Sequence, residues 1–194
     1  MSLMGDIFMN IDDRRVRKTK NALRQALIKL METKELRSIT IKELTDTADI
    51  HRATFYVHYQ DIYDLYEQFE NSVIEYIDYI MMHEVVSTYD EIYIRLINYI
   101  YDNPAICKMF LGRKSNQSFN NRVSKILERN YLKMCMNEGG TSEIPQELIF
   151  FTSYHIQGCL AIISRWVDDD FNCSKEYIIE IIKKVDMATD NLFN

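Results

Sequence analysis

Apolar side chains recur at intervals of three and four residues along most of this chain, the spacing that gathers them on one face of an α-helix. Leu23, Ala26, Leu27 and Leu30 make the first stripe, Ile41, Leu44 and Ala48 a second, and Phe55 and Tyr59 a short third. The run Ile62, Leu65, Tyr66, Phe69, Val73, Tyr76, Ile77 and Ile80 predicts one long helix over residues 61–83. Tyr93, Leu96, Ile97 and Ile100 predict the next. It stops at Asn103-Pro104, because proline lacks the N–H that a continuing helix needs, and a short helix then runs to about Leu111. Val123, Ile126, Leu127 and Met134 predict a helix from Phe119 to Asn137, ended by Gly139-Gly140. Ile149, Ser153, Ile156, Leu160 and Ile163 line another from Pro145 to Val167, and Ile178, Ile181, Ile182 and Val185 line the last, from Ser174. No segment alternates apolar and polar residues as a half-buried strand would, and five glycines with two prolines in 194 residues leave little punctuation for strand turns. The expected fold class is all-α.

Residues 39–59 carry the most specific local pattern, two short helices joined by a tight turn. Thr40 precedes the first helix, where its hydroxyl can accept a backbone N–H, and Glu43 three residues later completes a capping box. In the second helix Phe55 and Tyr59 share a face, which leaves Arg52, Thr54, Tyr56 and His58 pointing elsewhere. Such a face suits the floor of a DNA major groove: arginine pairs with guanine, threonine reaches a base edge or a thymine methyl, and tyrosine and histidine hold phosphates.

Charge sharpens the picture. Arg14, Arg15, Arg17, Lys18 and Lys20 occupy five of the seven positions from 14 to 20. Residues 14–60 hold 11 Lys and Arg against 5 Asp and Glu, a net of +6, whereas residues 61–194 hold 12 against 21, a net of −9. An acidic chain with a basic head can bind phosphate locally while its body resists non-specific attraction.

The run from Arg17 to Leu65, above all Ala53-Thr54-Phe55-Tyr56-Val57-His58-Tyr59 followed by Asp64-Leu65, resembles the amino-terminal domain of the tetracycline-repressor (TetR-type) family of bacterial regulators. The resemblance implies an N-terminal three-helix helix-turn-helix DNA-binding domain followed by a larger helical bundle for regulation and dimerisation. The expected division is an arm over residues 1–12, disordered or non-native, a DNA-binding domain over 13–60, and a ligand-binding and dimerisation domain over 61–194. The stretch from Gln157 to Trp166, with the acidic loop after it, resembles a subgroup related to regulators of dihydroxyacetone kinase genes. Three positions depart from the family pattern. Asp49 stands where the turn usually has a left-handed glycine, at a cost of about 1 kcal/mol. Ile62 replaces a phosphate-holding lysine, and His51 replaces a serine. The residues expected to meet DNA are Arg14, Arg15, Arg17, Lys18, Thr40, Lys42, His51, Arg52, Ala53, Thr54, Tyr56 and His58.

One helix-turn-helix reads few base pairs, so the expected partner is a pseudo-palindromic operator in double-stranded DNA, bound by a homodimer with recognition helices about 34 Å apart. Ile156, Leu160, Ile163, Ile178, Ile182 and Val185 form two adjacent apolar ridges that suit either packing within their own body or a four-helix dimer contact, and the family resemblance implies the latter. A small-molecule effector would find hydrogen-bond anchors among apolar walls at Tyr76, Tyr93, Tyr101, Phe110, Phe119, Tyr131, Tyr154 and His155, although each aromatic also serves as plain core. Cys107, Cys135, Cys159 and Cys173 are too widely spaced for a metal or redox pair, and they suit reduced core thiols in the cytoplasm. His83-Glu84 lacks the second histidine of a zinc-protease helix, and no phosphate loop or nucleophile elbow occurs. Asp168, Asp169 and Asp170 read as a solvated loop, so no metal, cofactor or enzymatic activity is expected, nor any membrane span or signal peptide. The resulting expectation is a ligand-responsive repressor. The alternatives are an activator or co-activator acting through a partner protein, or a helical interaction module whose DNA-binding head has decayed.

Overall fold

A computed structural model of the chain describes residues 14–83, 89–112, 117–139 and 144–193. The expected arm over 1–12 lies outside them. All regular structure among the described residues is helical: α1 (Arg14–Met31), α2 (Ile41–Ala48), α3 (Arg52–His58), α4 (Ile62–His83), α5 (Tyr89–Asp102), α6 (Pro104–Leu111), α7 (Gln117–Gly139), α8 (Gln146–Asp168) and α9 (Lys175–Phe193), with one 3-10 turn at Leu36–Ser38. No helix among the described residues is long and apolar enough to cross a membrane.

The chain forms two compact units that meet in sequence between Tyr76 and Ile77, inside α4, rather than at 60/61 where the sequence places the division. The reason is packing: the first turns of α4 belong to the core of the head. Leu65, Phe69 and Val73 are buried there, and the guanidinium of Arg24 on α1 lies 5.1 Å over the Phe69 ring. α1 also packs on α2, and α2 on α3, around fully buried Leu23, Leu27, Leu44 and Phe55. Each such side chain contributes about 1.5–3 kcal/mol by leaving water.

Short helices cannot hold themselves, and the head closes their ends with side chains. Thr40 Oγ1 accepts from the Glu43 N–H at 3.2 Å, as expected. The Glu43 carboxylate, expected to reach back to Thr40, pairs with Lys34 instead at 2.5 Å. Asp49 ends α2 in the left-handed conformation, φ 53° and ψ 47°. Asp61 Oδ1 accepts from Asp64 N–H, while Asp64 Oδ2 accepts from Gln60 N–H, both at 2.8 Å, so the entry to α4 is capped from two sides.

In the body α8 packs against α6, α7 and α9, and α5 against α6 and α9. A polar seam runs between α7 and α8, where Gln157 Nε2 donates to Ser124 Oγ at 2.8 Å and Ser153 Oγ donates to Glu128 Oε1 at 3.2 Å. The turn from α8 to α9 places Asp170 and Phe171 consecutively at φ 60° and 57°, a conformation that costs L-residues about 1–2 kcal/mol each. Local contacts offset it. Trp166 Nε1–H donates to the Cys173 carbonyl at 2.9 Å, the Phe171 ring meets Trp166 edge-on at 5.0 Å, and Lys108 of α6 pairs with Asp170 while lying 5.7 Å over the Phe171 ring.

Candidate nucleic-acid interface

The faces of α3 are sorted by burial. Phe55 and Tyr59 are sealed in the head, Thr54 and His58 are half-buried, and Arg52, Ala53, Tyr56 and Val57 are exposed. His51 caps the helix: its Nδ1 accepts from the Ala53 N–H at 3.2 Å, which puts the ring proton of the capping tautomer on Nε2. Arg52 does not hang free, since its Nη2 donates to Tyr56 Oη at 2.9 Å and its guanidinium lies 5.5 Å over the same ring. Tyr56 is steadied in turn by an edge-on contact with Phe55, 5.5 Å between centroids and 81° between planes.

The other expected DNA contacts take distinct places on the head. Arg14, Arg15, Arg17 and Lys18 are exposed along the first turns of α1, a helix end without acidic residues. Lys42 is exposed on α2, and Thr40, although exposed, already uses its hydroxyl as the α2 cap. Ile62, in the position of the usual lysine, is only 6% exposed and has become part of the head's core. Sequence reasoning passed over Val57, which is 75% exposed. It follows Phe55 by two residues, roughly 200° around the helix, and that angle was the available signal.

The body rearranges the expected effector residues. Tyr93, Tyr131 and His155 do come together, joined by Phe151, which the sequence reading omitted. The His155 ring lies 5.8 Å from Tyr93, 6.2 Å from Tyr131 and 5.8 Å from Phe151, with Cys159 Sγ 3.8 Å from its Nε2. Phe110 and Phe119 stack on each other at 5.0 Å, Tyr101 stacks on Trp166 at 6.4 Å, Tyr154 faces solvent, and Tyr76 belongs to the head unit. Tyr154 lies about 100° round the helix from His155 and is exposed where His155 is buried.

The two expected dimer ridges are also turned inward. Ile156, Leu160, Ile163, Ile178 and Ile182 are all buried within the protomer, which leaves them no surface for a partner, and only Val185 is exposed. The apolar positions that α8 offers to solvent are Ile149, Phe150, Tyr154 and Ala161, around Gly158, where an added Cβ would meet nothing within 4 Å. Burial pushes the Cys107 thiol up to about 12, which fits a packed, protonated core cysteine. Among the described residues no group of three His, Cys, Asp or Glu side chains could hold a metal ion. In the acidic loop Asp169 pairs with Arg165 and Asp170 with Lys108.

Comparison with known proteins places this geometry. Residues 87–186 match the TetR-type family described as "Transcriptional regulator C-terminal region". No curated protein matches the chain by sequence. Among solved structures, a TetR transcriptional regulator from Streptococcus agalactiae is similar over 89% of this chain and 96% of its own, at 19% identity and a TM-score of 0.64. The dihydroxyacetone kinase operon activator DhaS is similar over 90% and 97%, at 18% identity and 0.61. The fatty acid degradation regulator FadR from Bacillus halodurans is similar over 91% and 96%, at 12% identity and 0.63. At these identities the structural likeness speaks for the fold, and the family match covers more than half of the chain. With a capped helix-turn-helix head on a helical body that carries the family's carboxy-terminal region, the chain belongs to the TetR family of transcriptional regulators.

Proposed function

We propose that the protein is a dimeric, sequence-specific DNA-binding repressor whose operator affinity is changed by a small molecule bound in the body. The observation that carries the DNA-binding part is α3 itself. A helix whose outer face displays Arg52 and Tyr56, while its inner face is locked by Phe55 and Tyr59, suits base reading. The basic opening of α1 supplies phosphate contacts. Dimerisation uses the outward face of α8, where Phe150, Tyr154 and Ala161 flank exposed Gly158, together with Val185 on α9. The effector site is centred on His155, a buried imidazole among aromatic walls. Ligand there acts by favouring one of two conformations and is relayed through α4, which is continuous from head to body.

Selection of the purified protein against randomised duplex DNA at about 50 and about 200 mM salt tests this reading. The expected result is an enriched inverted repeat with affinity falling steeply between the two salts. Binding without sequence preference, or none, would overturn it. A second reading, activation through a partner protein, is favoured by the likeness to DhaS, which is described as an operon activator. A reporter placed behind the selected repeat separates the two: deleting the regulator raises expression under repression and lowers it under activation.

A further inference from the structure

Resting on that DNA-binding reading, we propose that Arg52 reads a guanine in each half-site and that Tyr56 is its positioning residue. Three observations on α3 converge. Arg52 is the first residue of the helix, and the amino-terminal residues of a recognition helix are those that reach base edges. Its guanidinium is held from two directions by one ring, through the 2.9 Å hydrogen bond from Nη2 to the phenol oxygen and the 5.5 Å approach over the ring face. That ring is fixed to the core through Phe55, which is fully buried.

The arrangement leaves most of the fork available. Of the five N–H donors of the guanidinium one is used on Tyr56, and the others can present a parallel pair to guanine O6 and N7. Tyr56 Oη, acting as acceptor from Arg52, keeps its own O–H to donate to an acceptor on the DNA. An unrestrained arginine would lose its rotamer freedom only on binding, whereas this one is ordered beforehand, so more of the contact appears as discrimination between bases. A phosphate contact would need no such orientation, because phosphate accepts hydrogen bonds from many directions.

The test is base preference measured on full-length protein. Wild type, Arg52→Ala and Tyr56→Phe are each selected against randomised duplex DNA, and the best site is then measured with every base at each position. Wild type should prefer guanine at one position per half-site, and Arg52→Ala should lose about tenfold or more of that preference while its choices elsewhere persist. Tyr56→Phe should keep the same preferred base with discrimination cut several-fold at that position alone and an unchanged melting temperature. Replacing that guanine by 7-deazaguanine, which lacks the N7 acceptor, should weaken wild-type binding and leave Arg52→Ala binding unchanged, and the wild-type arm of this measurement does not depend on any variant folding. If Arg52→Ala weakens all sequences alike and flattens the salt dependence, Arg52 holds a phosphate and the inference falls. It falls also if Tyr56→Phe discriminates as well as wild type, or if the selected repeat has no guanine sensitive to Arg52. A wild-type protein that enriches no sequence would overturn this inference and the DNA-binding reading together.

Discussion

Two outward helix faces, that of α3 in the head and that of α8 in the body, follow opposite chemistries. The α3 face exposes Arg52 and Tyr56 and is backed by aromatic anchors, whereas the α8 face exposes Ile149, Phe150, Tyr154 and Ala161. A polar group on a surface is ordinary unless it is held in place, and Arg52 is held. An apolar group on a surface is ordinary when single, and α8 sets several together. The informative signal is therefore order in the head and contiguity in the body.

Substitutions on the two sides of α8 should have the largest effects. Ile163→Ala should destabilise the protomer by about 2–5 kcal/mol, since Ile163 is 0% exposed and its removal leaves a cavity. Urea unfolding at fixed protein concentration measures the loss. Phe150→Glu should leave protomer packing intact and shift dimer to monomer in sedimentation velocity, with the dimer weakened by about 2 kcal/mol or more because a charge enters an apolar contact. A Phe150→Glu protein that still sediments as wild type would remove α8's outer face from the interface.

Smaller effects test the head, where two cap substitutions should move stability in opposite directions. Thr40→Ala removes the acceptor for Glu43 N–H and should cost about 1 kcal/mol. Asp49→Gly relieves a left-handed side chain and should gain about 0.5–1 kcal/mol. Both are read as urea midpoints, and a loss on Asp49→Gly would mean that the aspartate makes a contact worth more than its strain.

The same contrast explains what could be read from the sequence. The head was legible almost residue by residue, because caps and turns are local: Thr40 three residues before Glu43, a residue tolerant of positive φ at 49, and Phe55 four before Tyr59. Its misreadings came from long-range partners, such as Lys34 drawing Glu43 away from the cap. In the body, helical spacing located the helices but could not say which stripe faces which neighbour. Ile156, Leu160 and Ile163 form an apolar ridge whether the protomer or a second copy covers it, and it is the protomer's own α6, α7 and α9 that pack against α8. The aromatic list met the same limit: it held Tyr93, Tyr131 and His155, which come together, alongside Tyr154, which faces solvent. Periodicity shows that Tyr154 and His155 share a helix, and only packing shows that His155 is inside and Tyr154 outside.

An effect absent near neutrality compares one buried titrating group in each unit. Burial pushes the Tyr66 phenol in the head from 10.0 up to about 12, with the nearby Glu70 charge adding to the shift, and burial alone pushes the Cys107 thiol in the body from 9.0 up to about 12. Both folded-state values are raised, so between the unfolded and folded values the native protein keeps a proton that the unfolded chain has lost, and stability falls as pH rises. The Cys107 contribution is whole below pH 9 and is lost towards about 12, and that of Tyr66 is whole below pH 10 and is lost over the remainder of the range. Cys107→Ala should thus flatten the stability profile from pH 9 upward, whereas Tyr66→Phe should flatten it only above pH 10. Urea titrations from pH 7 to 11 give the slopes. A Cys107→Ala profile as steep as wild type between pH 9 and 10 would mean that the thiol ionises in place, and that the body around α6 admits water where the head around Tyr66 does not.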